Sequence, residues 1–301
     1  MKRISLFGAD FEDSKKIVIS GEFSLTAGMP NPIHKSLLNR LFIVFFCGFY
    51  FFGILIYAVS IGIPERMGEG GDIHYISIEA GKLISHMSSS LKPITLTFYL
   101  LFLLALIPVF WPKKRLSSQL WTYFPFYFSS ATCAFIAGLY LVGAVAYDAY
   151  TLVGFWFQIF VGIVLFIWII VNSIRNMKRQ LNDEELKPIF EIVVKIIGGL
   201  MVFQFVASLV YHLVNHLPVL WYFYLLGLLL LVWIVVYAYS TALLIDAHIV
   251  QAYYIHKYPM EYKEYLEISD RDWYSKRYYK RLIKSGQLKE RINPENEEIK
   301  E

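Results

Sequence analysis

The amino-acid sequence predicts an all-α integral membrane protein: a bundle of six transmembrane helices with the N- and C-termini on the cytoplasmic side. Three observations lead there. Apolar residues make up 57% of the 301 and charged residues only 17%, against roughly 25% charged in a typical soluble domain. The apolar residues gather in runs of about 20, the length that crosses a hydrocarbon core about 30 Å thick at about 1.5 Å per residue. The cations between the runs concentrate in alternate connections. A soluble globule of this composition would lack the polar groups to cover its surface.

The runs are Leu41–Ile63, Pro93–Trp111, Trp121–Tyr147, Thr151–Val171, Ile189–Tyr211 and Leu217–Ile245. Lipid offers no partner to a backbone N–H or C=O, so each run is expected to be helical. Lys2, Arg3, Lys15, Lys16, Lys35 and Arg40 precede the first run. Lys113, Lys114 and Arg115 follow the second, and Arg175, Lys178, Arg179 and Lys187 follow the fourth. The links after the third and fifth runs carry no Lys or Arg, and acidic residues outweigh Arg66, Lys82 and Lys92 after the first. Short basic connections stay in the cytoplasm. Both ends and the 112–120 and 172–188 connections are therefore expected inside, and that parity demands an even number of spans. Trp111, Trp121, Tyr123, Tyr147, Tyr150, Tyr211, Trp221 and Tyr222 crowd the span ends, where amphipathic rings favour the headgroup level. The opening stretch is polar, whereas a cleaved signal carries its apolar core within about the first 30 residues. The first span is expected to act as an uncleaved anchor. The chain then divides into a cytoplasmic tail 1–40, a six-span domain 41–246 with an external loop 64–92, and a cytoplasmic tail 247–301.

Several features carry candidate roles. Ser130, Ala134 and Gly138 place small residues at i, i+4 and i+8 of the third run, a spacing that lets helices approach closely in lipid. Gly198 and Gly199 are a candidate counterpart. Ionisable groups near the middle of the runs are scarce; Ser129, Ser130, Thr132, Gln158 and Gln204 read as interhelical hydrogen-bonding groups. His212 and His216 share a helical face. They are candidate metal ligands only, since a zinc site needs a third protein ligand and residue 213 is Leu. No metal or other cofactor is expected. Cys47 and Cys133 lie inside apolar runs and read as small buried hydrophobes.

The loop 64–92 holds a patchy amphipathic stretch, Ile76, Leu83, Ile84 and Met87, that fits a short helix on the outer membrane face. In the C-terminal tail, residues 273–284 predict a basic amphipathic helix: Tyr274, Tyr278 and Leu282 on one face, Lys276, Arg277, Lys280, Arg281 and Lys284 on the other. Such a helix suits an anionic lipid surface, each cation contributing about 1 kcal/mol; the alternative packs its tyrosines on the protein's own loops. Residues 16–26, KIVISGEFSLT, alternate roughly and predict a strand or hairpin that would dock on the membrane domain, its own tail or a partner. The last ten residues are acidic and are expected to be disordered.

The chain has no Walker loop, no G-x-G-x-x-G after a strand, no G-x-S-x-G and no H-E-x-x-H. With the ion-poor apolar spans, the small-residue face and polar tails that resemble docking arms, these absences point to a non-enzymatic, multi-pass subunit, a scaffold or assembly component of a larger cell-envelope complex of the secretion or conjugation kind; the compact loops and the clean charge bias point to the bacterial inner membrane. The alternative is a transporter subunit, such as an ATP-binding-cassette permease whose ATPase is a separate chain. The expected partners are membrane lipids and other membrane-protein subunits, not nucleic acid.

Overall fold

A computed structural model describes residues 3–20, 37–42, 45–46, 53–68, 76–111, 113–214 and 226–288. It is almost wholly helical (85%), with no strand among the described residues. Four helical stretches there are long and apolar enough to cross a membrane: Ile78–Val109, Leu116–Leu181, Ile189–Tyr211 and Leu229–Lys257. The strand expected over 16–26 is corrected where it is described. Helix α1 spans Phe11–Ser20, so Lys16–Ser20 form its second half. Asp10 Oδ1 accepts from the N–H of Asp13 (2.9 Å) and starts this helix, satisfying one of its four free N–H groups.

A short helix α2 (Leu37–Phe42) precedes α3 (Ile54–Tyr57). The chain then passes through a π-turn (Ala58–Gly62) into α4 (Ile63–Gly68). Helix α5 spans Ile78–Phe110 and runs through Pro93 and Pro108, so the amphipathic stretch and the second apolar run form one continuous helix. Ser77 caps it by accepting from the N–H of Ala80 (3.0 Å). Ser77 in turn donates its N–H and hydroxyl to Asp148 at the far end of the third run. After a single turn, α6 (Leu116–Leu120), comes α7, Tyr123–Leu181.

Helix α7 is not straight. Thr151 has φ 61° and ψ −179°, a left-handed-side conformation that costs a β-branched residue strain. The ring of Phe135 lies 4.2 Å from that of Tyr237, and the ring of Phe166 lies 5.6 Å from the same tyrosine. A straight helix would hold Phe135 and Phe166 about 46 Å apart. The chain therefore doubles back at Thr151 into two antiparallel arms. Two side chains of α8 (Ile189–Val214) meet carbonyls near the break: Ser208 donates to Ala149 O (3.2 Å) and Gln204 to Gly154 O (3.3 Å). Helix α9 (Leu229–Ile245) packs against both arms.

Helix α9 continues through a second π-turn (Asp246–Gln251) into α10 (Ala252–Lys257). Three short helices follow: α11 (Pro259–Tyr265), α12 (Asp270–Trp273) and α13 (Lys276–Lys284).

Candidate functional site

The largest apolar cluster lies at one end of the bundle. It joins Leu6, Ala9, Ile17 and Val18 from the N-terminal segment, Leu120 and Tyr123 from the 112–123 connection, and Met177 and Leu181 from the end of α7. Tyr254, Tyr262, Trp273, Tyr274 and Leu282 of the C-terminal segment complete it. Four chain segments far apart in sequence thus form one folded cap.

Tyrosines of the C-terminal helices hold the N-terminal segment by its backbone. The Tyr254 hydroxyl donates to Leu6 O (2.6 Å) and accepts from Ala9 N (3.4 Å). Tyr258 donates to Ala9 O (3.1 Å) and Tyr253 to Phe7 O (3.1 Å). Ser14 and Tyr262 share a buried hydroxyl pair at 2.6 Å. Phe11 meets the edges of Tyr258, Tyr262 and Tyr265, with ring centroids 5.0 to 6.2 Å apart, and Lys15 sits over Phe11 and Tyr265. From α7's end, Asn182 accepts from Ile4 N (2.8 Å) and donates to Ile4 O (3.3 Å). Lys16 meets Asp183 at 2.6 Å. Hydrogen bonds to Asp183 and then Asp13 raise the Lys16 pKa above its ordinary value. Burial raises that of Tyr262, against the opposing hydrogen bond of Ser14.

The connection after α5 is stitched in by Gln119, whose buried amide donates to Val109 O (2.7 Å) and accepts from Lys113 N (3.0 Å). It thereby satisfies a carbonyl in the last turn of α5. Ser275 N donates to Lys114 O (3.1 Å), and Arg115 and Tyr274 form an isolated antiparallel bridge.

This pairing fixes where the predicted basic helix sits. Leu282 is buried, and Tyr278 and Tyr279 are half-buried against the cap. The apolar face is therefore occupied by the protein itself. Lys276, Arg277, Lys280, Arg281 and Lys284 are all exposed, with Lys113, Lys114 and Arg115 on the paired connection.

The small-residue stripe is divided by the fold. A Cβ at Gly138 would come within 2.3 to 2.5 Å of the Trp233 indole, so the glycine makes room for that ring on α9. Trp233 also donates its indole N–H to Phe135 O (3.0 Å), and Thr132 shares a 2.7 Å hydroxyl pair with Tyr237. Ser130 is half-buried and Ala134 exposed. Gly198 and Gly199 face open space. Cys133 is fully buried, and Cys47 lies outside the described residues. His212 falls in the last turn of α8, and His216 lies outside the described residues. Among the described residues no group of three His, Cys, Asp or Glu is placed to hold a metal ion.

One pairing was not foreseen. Lys92, at the middle of α5, forms an ion pair with Glu65 of α4. On the sequence these residues are 27 positions apart, with several glycines between them, and no periodic pattern links them. Nearby on α5, Ser88 and Thr95 are buried beside Tyr140.

The fold defines a class: an almost wholly helical, membrane-embedded protein with a folded cap at one end of its apolar bundle. Comparison with known protein families, curated proteins and solved structures returns no match for the chain.

Proposed function

We propose that the chain is a multi-pass scaffold or assembly subunit of a larger complex in the bacterial inner membrane, with six spans and both termini cytoplasmic. The reversal at Thr151 gives Leu116–Leu181 the length for two passes. With the other three long helices and the apolar run Leu41–Ile63, that supports six. The cap is the observation that carries the scaffold reading. It joins both terminal segments and two basic connections into one unit and turns the cations of α13 outward, the form a docking platform needs. Those five cations, Lys276, Arg277, Lys280, Arg281 and Lys284, are read as contacts for anionic lipid headgroups. The exposed Ala134 and the half-buried Ser130 are read as part of a contact with another membrane subunit. The protein performs no chemistry of its own in this reading.

Purification in mild detergent followed by mass measurement tests the proposal: it expects a co-purifying membrane protein. A lone monomer overturns it. The second reading, a permease-type transporter subunit with a separate ATPase chain, draws on the Glu65–Lys92 pair, since ionisable residues in a membrane bundle mark solute and ion paths more often than scaffolds. An ATPase recovered with the cap would favour it.

A further inference from the structure

Three contacts set the height of α5 against the rest of the bundle. Ser77, at its start, binds Asp148, three residues before the reversal at Thr151. Phe98 meets Phe128 and Phe102 meets Phe126 further along. Helix α5 is thus antiparallel to the first arm of α7 and runs in the same direction as the second, from a common end. From Val153 to Ile167 the second arm shows solvent a purely apolar face, with Val153, Trp156, Phe160, Ile163 and Ile167 exposed. Over the same height, about 20 Å at 1.5 Å per residue, the exposed positions of α5 are Glu79, Lys82, His86, Ser89 and Ser90. They recur at helical spacing and form one polar stripe, with the exposed Ile78 at its outer end. The stripe stops at Lys92, held by Glu65. From Ile94 onward the exposed positions are apolar (Ile94, Leu100, Leu101, Leu104 and Ile107) apart from Thr97, whose hydroxyl donates to Pro93 O.

Lipid that covers the second arm of α7 covers this height of α5 as well. Hydrocarbon does not accept a stripe of charges and hydroxyls, and polar groups at membrane depth line water or protein. Two facts favour water. The stripe begins at the end of the bundle where Ser77 and Glu79 are exposed. Its floor is an acid and a base that satisfy each other.

We propose that the polar face of α5 from Glu79 to Ser90 lines a narrow aqueous vestibule. It opens at the end of the bundle away from the cap and closes on the Glu65–Lys92 pair. It admits water and small hydrated solutes part of the way across the membrane. This goes beyond the scaffold reading and does not rest on it. It also places residues 78–92 at membrane depth, where the amino-acid pattern had suggested an external connection.

The test uses the full chain in sealed vesicles with Cys47→Ser, keeping the buried Cys133. Single cysteines replace Ser89, Ser90 and His86 on the stripe, Ile94 below its floor, and Val153 and Phe160 at matching heights on the apolar face. A small, charged, membrane-impermeant methanethiosulfonate is applied to the side away from the cap, and in parallel a maleimide carrying a bulky polyethylene glycol chain. The stripe cysteines are expected to react with the small reagent at least an order of magnitude faster than those at 94, 153 and 160, and to resist the bulky one. Inert Ser89→Cys and Ser90→Cys would mean that lipid or a partner covers the stripe and would overturn the proposal. Equal reaction with both reagents would mean an open external segment and would overturn it too. The two adjacent serine sites keep the test intact should one variant fail to fold.

Discussion

Single positions carry much of the order of the bundle. Gly138 lies where the Trp233 indole crosses α7, so Gly138→Leu forces that ring out of its place. Overpacking of this kind costs about 1–3 kcal/mol, and the variant is expected to melt several degrees lower in a detergent-solubilised thermal scan. Trp233→Phe keeps a six-membered aromatic ring but loses the pyrrole half of the indole and its hydrogen bond to Phe135 O, and should cost less. Thr151 presents the opposite case. It holds a positive φ that glycine adopts freely, so Thr151→Gly is expected to stabilise the reversal by relieving strain of about 1 kcal/mol. A lower melting temperature would show that the threonine side chain does something the backbone conformation does not explain. Two groups in the cap set its response to alkali. Lys16 has its pKa raised by Asp183 and Asp13, and Tyr262 has its pKa raised by burial. A raised folded-state pKa gives stability fully present below the unfolded value and lost as pH rises past it. The ordinary values are 10.5 and 10.0, so the cap is expected to hold through neutral pH and loosen above about pH 10. Protease access to residues 3–20 reads that transition, and Lys16→Ala should weaken the cap at neutral pH while flattening its alkaline decline.

At the scale of elements, α13 shows how an amphipathic pattern can be read correctly and still leave its use open. The spacing of Tyr274, Tyr278 and Leu282 announces a helix with one apolar face. It cannot say whether that face meets lipid or protein, because both are apolar. The structure buries it in the cap and leaves the cations outside. Binding of anionic lipid would then rest on charge alone. Replacing Lys276, Arg277, Lys280, Arg281 and Lys284 by Gln is expected to cut the anionic lipid that co-purifies with the full chain, measured by mass spectrometry. Retention equal to wild type would assign the platform to an acidic partner instead. Helix α1 was less legible. Lys16–Thr26 alternates like a strand, but Asp10 initiates a helix five residues upstream, and that helix buries Ser14, Ile17 and Val18 against residues some 240 positions away. Local pattern carries no record of such a partner. The long apolar helices were legible because lipid imposes one solution on an uninterrupted apolar run. The Glu65–Lys92 pair was not, because it depends on two helices meeting.

For the molecule as a whole, the cap decides how the ends behave. The N-terminal segment adds Leu6, Ala9, Ile17 and Val18 to the cap's core, and Tyr253, Tyr254 and Tyr258 spend their hydroxyls on its backbone carbonyls at residues 6, 7 and 9. Removing residues 1–20 would strip partners from Tyr254, Tyr258 and Tyr262 together, and buried donors left without acceptors cost about 1–3 kcal/mol each. The C-terminal segment should then come loose from the bundle even though its own sequence is intact. Limited proteolysis expresses this directly. In the full chain Trp273 is buried and α11 to α13 should resist cleavage; without residues 1–20 they should be cut many times faster, while the membrane-length helices stay protected. If cleavage within 259–288 is no faster in the shortened chain, the cap is held by the 112–123 connection and the end of α7. The N-terminal segment would then be a passenger on it rather than a clasp.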